Sequence, residues 1–261
     1  MLKQLMLHTI LFIVLCSSTL ASVSQAKSEN KSEINAIRFS VSESWPEPYA
    51  FFDGNRDLKS GILKDLMDEL AKQMGGVAKY IHLSRNRIDA AVQKGSVDVR
   101  CFAHEDWTKT PEIYSWSKLF LTINNSVFWK KGKPAITKIS DLENKTIGTV
   151  AGYTYTSINE LFVTGKLKRS DVTTEQMNVA LLQKDRIDYI IASTSAFKWM
   201  LKNEDGLELR TKTESIIVDT IPTKCAVLKS GKINIKDIDR VLEKMLKANS
   251  IKKIESKYNL D

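Results

Sequence analysis

The stretch Ala90-Ala-Val-Gln-Lys94, followed by Val97-Asp98, recurs later in the chain as Ala180-Leu-Leu-Gln-Lys184, followed by Ile187-Asp188. Each copy begins with an apolar run that ends in Gln-Lys and continues, after a short turn, into a β-branched residue and an aspartate. This is the pattern of a helix that turns into a buried strand. Because the spacing within the two copies is identical, the sequence predicts two related halves.

Strand and helix patterns alternate around the first copy. The strand patterns lie at Ile37–Val41, Ala78–Leu83 and Val97–Ala103, and the helix patterns at Gly61–Met74 and Asn86–Gln93. The pair Gly75-Gly76 ends the first of these helices. Strand, helix, strand, helix and strand in succession predict a parallel α/β sheet.

The second copy has similar surroundings, with strand patterns at Lys145–Val150 and Ile187–Ala192 and helix patterns at Thr154–Val163 and Thr174–Gln183. Strand-like runs also occur at Asn125–Trp129 and Cys225–Leu228, and Lys236–Tyr258 reads as one long amphipathic helix. We therefore predict an α/β fold of two lobes joined by two hinge strands. The first lobe comprises residues 36–122 and 223–261, and the second comprises residues 123–222. A ligand cleft is expected between them, at the carboxyl ends of the strands.

The first 26 residues have the features of a secretory signal peptide. Lys3 is followed by the apolar run Leu5–Cys16 and by small residues up to Ala26. The run is shorter than the ~20 residues of a comfortable membrane span, although an uncleaved anchor is the alternative. We predict cleavage, a flexible polar tail at residues 27–35 and a periplasmic protein. Loss of Lys3 would reduce the formal charge from +8 to +7.

The basic charge does not favour nucleic acid as a partner. Lysines alternate with acids, and no basic run reaches five residues. After removal of the signal peptide, two cysteines remain, Cys101 and Cys225, and neither lies in a CxxC or CxxxH pattern. With only His82 and His104 as additional ligands, we predict no metal and no cofactor.

Several motifs in order resemble the extracellular solute-binding proteins of family 3, which are receptors for polar amino-acid ABC importers. They are Trp45-Pro-Glu-Pro-Tyr-Ala-Phe51, Gly61-Ile-Leu-Lys-Asp-Leu66, Gly95-Ser-Val-Asp98 after Arg87, Tyr114-Ser-Trp-Ser117, Asp141–Thr154 and Ile254–Tyr258. The resemblance covers residues 36–258. It implies a monomeric binding protein, not an enzyme, whose lobes close over a small solute for an inner-membrane permease.

Two positions depart from the family pattern. An arginine that clamps the ligand carboxylate is typical at the position of Thr110, and an aspartate that receives the ammonium is typical at that of Ser193. We therefore expect ordinary α-amino acids to bind weakly. Either the ligand differs, or another group such as Arg85, Arg87 or Arg100 binds the carboxylate.

The candidate ligand-binding residues come from loops that would face the cleft. They are Trp45, Tyr49, Arg87, Arg100, Trp107, Thr110, Gly152, Tyr153, Thr154 and Ser193. Residues 152–154 are expected to start a helix, whose free N–H groups would bind an anion. The alternatives are loop packing for Trp45 and Tyr49 and an ion pair with an acid for the two arginines. Packing in the core or hinge is expected of the remaining tryptophans, Trp116, Trp129 and Trp199.

The resemblance also makes the strands of Cys101 and Cys225 neighbours in one sheet, so a disulfide is one expectation and two buried thiols the other. Two further functions stay open. One is a ligand sensor for a membrane partner, and the other is an enzyme of the cyclohexadienyl dehydratase type, with Glu43, Glu105 or Asp106 as acid.

Overall fold

The computed structural model of the protein describes residues 36–207, 211–212 and 215–258. The predicted signal peptide at residues 1–26 and the tail at residues 27–35 lie outside the described residues.

The strands form one large mixed sheet and two smaller groups. β1 (Ala36–Val41) pairs in parallel with β4 (Val77–His82), and the short strands β2 (Phe51–Phe52) and β3 (Leu58–Ser60) form an antiparallel pair. The large sheet has the order β5-β10-β6-β9-β7-β8. Its strands are β5 (Arg100–Ala103), β6 (Tyr114–Trp129), β7 (Thr146–Val150), β8 (Lys168–Val172), β9 (Tyr189–Ser193) and β10 (Ile216–Leu228).

The α-helices of the described residues are α1 (Ile62–Gln73), α2 (Ile88–Gln93), α3 (Asn159–Val163), α4 (Glu175–Gln183), α5 (Thr194–Asn203), α6 (Ile235–Lys247) and α7 (Ser250–Ser256). Short 3₁₀ turns lie at Arg85–Arg87, Glu105–Trp107, Pro111–Ile113, Ile139–Leu142 and Thr156–Ile158. α1 shows how the sequence pattern becomes structure. Its apolar positions recur at helical spacing and are buried, while Lys64 and Asp68 on the outer face form an ion pair at 2.6 Å.

The long strands β6 and β10 connect the two halves. They pair antiparallel over most of their length, from Ile216 opposite Val127 to Leu228 opposite Tyr114. At one end β10 also pairs with β5, and at the other end β6 pairs with β9. Parallel pairing as predicted is present between β1 and β4 and between β7 and β9, and β7 pairs in parallel with the unpredicted strand β8 as well.

The structure corrects two predicted helices. The helix expected over Lys236–Tyr258 is broken between α6 and α7 at Asn249, which adopts a left-handed conformation with φ 53°. The helix expected over Thr154–Val163 begins later, with a 3₁₀ turn at Thr156 and α3 at Asn159. The sequence patterns also missed β8, which is polar, and α5.

Gly61 fixes how α1 meets the loop before it. Its φ of 122° is unfavourable for other residues, and a Cβ there would lie 2.5 Å from the carbonyl oxygen of Tyr49. Pro48 and Tyr49 accept hydrogen bonds from Ile62 and Leu63, the first residues of α1. Helix and loop are therefore held together at a position that only glycine fits.

A disulfide joins Cys101 of β5 to Cys225 of β10. Both residues are buried, and the strands that carry them are antiparallel neighbours. In the part of the chain that the structure describes, no helix is long and apolar enough to cross a bilayer.

Candidate ligand-binding site

One cavity brings together the loops at the carboxyl ends of several strands. Its empty volume is about 390 Å³, including the open space at its mouth. The residues that line it are Pro46, Tyr49, Arg85, Phe102, Trp107, Ile123, Asn125, Tyr153, Thr154, Glu175 and Ser193. The walls follow β1, β4, β5, β7 and β9, and the long strand β6 and the start of α4 complete them. This is the position at which open α/β sheets bind ligands.

The guanidinium of Arg85 packs against two aromatic rings. Its guanidinium carbon lies 5.0 Å from the ring centroid of Trp107 and 4.7 Å from that of Tyr153. Burial lowers the pKa of Arg85, but a guanidinium remains charged at any physiological pH. Among the described residues, no carboxylate pairs with it. The rings occupy part of the surroundings of the guanidinium, and its N–H groups are the part that can donate to an anionic acceptor.

The Trp107 side of this arrangement is supported by Asp89 of α2. Its carboxylate accepts hydrogen bonds from Arg100 at 2.5 Å, Thr108 at 2.7 Å and Tyr114 at 2.8 Å. Arg100 also reaches the carbonyl oxygen of Trp107, at 3.5 Å. Arg100 is buried and does not line the cavity, so it holds the Trp107 loop in place instead of contacting ligand.

The Tyr153 side is supported by Arg169 of β8. The guanidinium donates at 3.1 Å to the carbonyl oxygens of Val150 and Tyr153, and it forms an ion pair with Asp171. Gly152, between those carbonyls, has a φ of 77°. A Cβ there would lie 3.5 Å from Cδ of Arg85, so the glycine backbone packs against the arginine stem.

The anion site expected at a helix start is not formed. Thr154 lies in the cavity wall, but the helical turn begins two residues later and is 3₁₀, and α3 is only five residues long. Gly152 is exposed and outside the lining. The polar tyrosine–threonine loop therefore contributes side chains, not helix N–H groups.

Glu175, the first residue of α4, is a buried acid in the cavity wall. It is 3% exposed, and its Oε2 accepts a hydrogen bond from the backbone N–H of Ser193 at 2.9 Å. Burial raises the pKa of Glu175 to about 8, and the Ser193 N–H opposes that rise. The Ser193 hydroxyl donates in turn to the Tyr49 hydroxyl at 3.3 Å.

Hydrogen bonds cross the cavity between residues 36–122 and residues 123–222. The Tyr153 hydroxyl donates to the carbonyl oxygen of Ser44 at 2.7 Å, and the Ser193 contact with Tyr49 is a second crossing. The cavity is therefore bridged on two sides.

Phe102 and Trp45 shape the apolar wall. Phe102 has φ 55°, a left-handed conformation unusual for an aromatic residue, and its side chain lines the cavity. Trp45 packs edge-on against it at 5.8 Å, and Tyr49 packs against it at 5.4 Å. Trp45 is 5% exposed and lies behind Phe102, so it supports the wall without lining it.

Five of the predicted residues line the cavity: Tyr49, Trp107, Tyr153, Thr154 and Ser193. Trp45, Arg87, Arg100, Thr110 and Gly152 do not. Arg87 is exposed just before α2, and the backbone N–H of Thr110 bonds to Thr108 at 3.3 Å.

Sequence reasoning named Arg85 only as an alternative, and it missed Phe102, Ile123, Asn125 and Glu175. Phe102, Ile123 and Asn125 lie on strands, and no pattern along a strand indicates which of its faces meets a cavity. Glu175 follows Thr174, which caps α4 by accepting from the N–H of Met177 at 3.2 Å. Thr174 followed by Glu175 resembles an ordinary helix start, so no local pattern indicated that the Glu175 side chain is buried. The described residues contain no group of three or more histidines, cysteines and acids that could hold a metal ion.

Comparison with known families agrees with this architecture. The family model of the bacterial extracellular solute-binding proteins, family 3, matches residues 37–261. The chain belongs to this family. No curated protein matches it closely enough to count as a relative.

Solved structures share the fold of this family 3 protein at low identity. An ancestral arginine-binding protein bound to arginine has a TM-score of 0.69 and 22% identity, over 87% of this chain and 99% of its own. The glutamate-bound ligand-binding core of GluR0 from Nostoc punctiforme has a TM-score of 0.66 and 18% identity, over 86% of this chain and 98% of its own. An ancestral amino-acid-binding protein, a precursor of cyclohexadienyl dehydratase, has a TM-score of 0.68 and 18% identity, over 86% of this chain and 95% of its own.

Proposed function

We propose that the protein is a periplasmic receptor that captures a small polar solute with an anionic group and presents it to an ABC importer. The observation that carries this proposal is Arg85. Its charged guanidinium lies in the cavity wall, and no described carboxylate forms an ion pair with it, although Asp89 acts on its pKa from a greater distance. A charge left without a counterion in a partly buried site is costly, and an anionic ligand group would supply the missing partner.

The geometry around Arg85 favours a carboxylate-like group. The guanidinium lies close to the rings of Trp107 and Tyr153, and its paired N–H groups form a planar fork. Such a fork matches two oxygens of one anionic group, which gives orientation as well as affinity. This explains how the chain can dispense with an arginine at the position of Thr110.

Capture would proceed by closure of the two lobes, residues 36–122 with 223–261 and residues 123–222. The Tyr153 and Ser193 hydrogen bonds that cross the cavity would stabilise such a closed form. A solute that contacts both lobes would shift the equilibrium towards this form, which the permease would recognise.

The purified exported protein tests the proposal by thermal shift. The panel would contain carboxylates, phosphonates, sulfonates, amino acids, sugars and polyamines, and hits would be quantified by calorimetry. A ligand at a hundred times its Kd adds about 2.7 kcal/mol of stability. We expect hits among the anionic compounds, and we expect Arg85→Gln to weaken them at least tenfold.

Arg186→Gln is the matched control, because Arg186 is exposed and outside the cavity. If only uncharged solutes or polyamines bind, or if both arginine variants bind alike, the proposal is wrong.

An enzyme on the same scaffold is the second candidate, and Glu175 is the observation that favours it. A buried acid with a pKa near 8 in a cavity could donate a proton at neutral pH. Nuclear magnetic resonance of each hit after overnight incubation separates the two functions. A receptor returns the compound unchanged, whereas an enzyme converts it and Glu175→Gln abolishes the conversion.

A further inference from the structure

We propose that the cavity selects an elongated solute that carries an amino group several carbons away from its anionic group, with the anion on Arg85 and the amine on Glu175. This inference rests on the proposed function and adds the ligand class. It differs from an α-amino acid, in which the two charged groups share one carbon.

Glu175 has the environment of a ligand-binding acid. Its carboxyl group lines the cavity, is almost fully buried and receives one hydrogen bond, from the N–H of Ser193. No lysine, arginine or histidine of the described residues pairs with it. A carboxyl group has two oxygens and about four acceptor positions, so capacity remains for a donor from the ligand.

The start of α4 does not need this carboxyl group. Thr174 already caps the helix through its bond to Met177, and an acid at the first position of a helix is ordinarily exposed to solvent. The contact with Ser193 places Glu175 instead at the end of β9, at the position where the family pattern has an acid and this chain has a serine. A carboxyl group is therefore supplied at this place by a different element.

Arg85 and Glu175 contact different residues of the cavity lining. Arg85 packs with Trp107 and Tyr153, whereas Glu175 accepts from the N–H of Ser193, whose hydroxyl donates to that of Tyr49. Because the two groups have separate neighbours, we expect a solute whose charged groups stand several carbons apart to reach both, and one that carries them on a single carbon to reach only one.

Much of the remaining lining is apolar. Phe102, Ile123 and the ring of Tyr49 contribute apolar surface to the cavity, and Asn125 and Thr154 contribute polar side chains. An alkyl spacer fits such walls, because apolar lining with a few placed polar groups is the usual composition of a small-molecule site.

Calorimetry with a homologous series tests the spacing. The probes are glycine, β-alanine, 4-aminobutyrate, 5-aminopentanoate and 6-aminohexanoate, with butyrate, pentanoate and hexanoate as partners that lack the amine. We expect the Kd to fall at least tenfold from glycine to one of the longer amino acids. Removal of the amine at that length should weaken binding at least tenfold.

Glu175→Gln and Glu160→Gln form the matched pair of variants. Glutamine keeps an acceptor for the Ser193 N–H, so the first variant removes the charge while preserving the local hydrogen bond. We expect it to abolish the preference for the aminated compounds. Glu160 is exposed and outside the cavity, so its variant should retain the preference.

The unaltered protein supplies a second measurement. Glu175 must lose its proton to bind an ammonium group, so calorimetry at pH 7 in buffers of different ionisation enthalpy should detect proton release. Release is expected with the best amino acid and not with its partner that lacks the amine.

The other groups around Glu175 do not titrate near this pH. Burial raises the pKa values of Tyr49, Tyr153 and Tyr155. Burial also acts to raise the pKa of Asp171 on β8, but hydrogen bonds from Thr149 and Arg169 outweigh it and the net shift is downward. Tyr189 on β9 has a pKa raised by burial.

The outcomes separate this inference from the proposed function. If glycine binds as tightly as the longer compounds, or if Glu175→Gln retains the preference for the amine, the inference is wrong. If carboxylates bind through Arg85 whether or not they carry an amine, the proposed function stands and the inference fails. If no anionic compound binds, both fail.

Discussion

Arg85 depends on its two neighbouring rings for orientation. Its guanidinium carbon lies 5.0 Å from the ring centroid of Trp107, and cation–π contacts of this kind contribute roughly 0.5–2 kcal/mol. We predict that Trp107→Ala weakens the binding of an anionic ligand by about threefold to thirtyfold while changing the melting temperature little. Titration calorimetry and thermal melts measure the two effects.

Trp199 provides the control for that variant, because it packs on Phe51 at 5.8 Å and lies outside the cavity. Trp199→Ala should reduce stability and leave the Kd unchanged. Equal affinity in Trp107→Ala and the unaltered protein would show that the ring does not orient Arg85.

Trp45 behaves differently from the prediction that it stacks on the ligand. Since its side chain is buried behind Phe102, Trp45→Ala should lower the free energy of unfolding by about 3–5 kcal/mol. Thr154→Ala, in the cavity wall, should instead weaken binding and leave the melting temperature nearly unchanged. Chemical denaturation separates the two variants, and an unaltered midpoint for Trp45→Ala would contradict the packing role.

Glu175 makes the stability of the empty protein depend on pH. Burial raises its folded-state pKa to about 8, above the ordinary value of 4.5. Between these two values the folded state holds a proton that the unfolded chain has lost. The contribution of Glu175 to the free energy of unfolding is therefore greatest below about pH 4.5. It is lost as the pH rises to about 8, at up to about 1.4 kcal/mol per pH unit.

Urea denaturation from pH 4.5 to 8.5 tests this dependence. The stability of Glu175→Gln minus that of the unaltered protein should rise across the range and level off above pH 8. A constant difference would mean that Glu175 is ionised throughout.

Among the structural elements, β5 and β10 meet at the disulfide between Cys101 and Cys225. β5 ends at Phe102 and Ala103, so the bond anchors the strand that supplies part of the cavity wall. We predict no free thiols in denatured, unreduced protein that lacks residues 1–26. Reduction should lower the free energy of unfolding by about 2–4 kcal/mol. Detection of two thiols per chain would mean that the cysteines are separate.

The loop after β7 is held by Arg169 through the carbonyl oxygens of Val150 and Tyr153. Arg169 does not line the cavity, so any effect on binding must act through the loop. We expect Arg169→Gln to weaken ligand binding severalfold. Lys168→Gln on the same strand, where the side chain is exposed, should have no effect. Equal affinities for the two variants would show that the loop holds its position without Arg169.

For the whole molecule, the hydrogen bond from the Tyr153 hydroxyl to Ser44 joins residues 36–122 to residues 123–222, so we expect it to be lost if the proposed lobes open. Tyr153→Phe retains the ring beside Arg85 but removes the hydrogen bond to Ser44. We predict a larger radius of gyration for the ligand-free variant in small-angle X-ray scattering, and a decrease on ligand addition in both proteins. If the scattering of the two proteins is the same, this bond does not control closure.

The sequence by itself determined the alternation of strands and helices, the two-lobed α/β fold class and the family, because burial periodicity and motif order are present along the chain. It placed α1, β1, β4, β7 and β9 close to their observed bounds, since each has a clear apolar period. Tertiary structure alone decided which polar groups meet. Arg85 lies beside Trp107 and Tyr153, and Glu175 beside Ser193, across separations of 18 or more residues. Local patterns do not encode such pairs, because an isolated arginine or a helix-start glutamate looks the same whether its side chain faces solvent or a cavity.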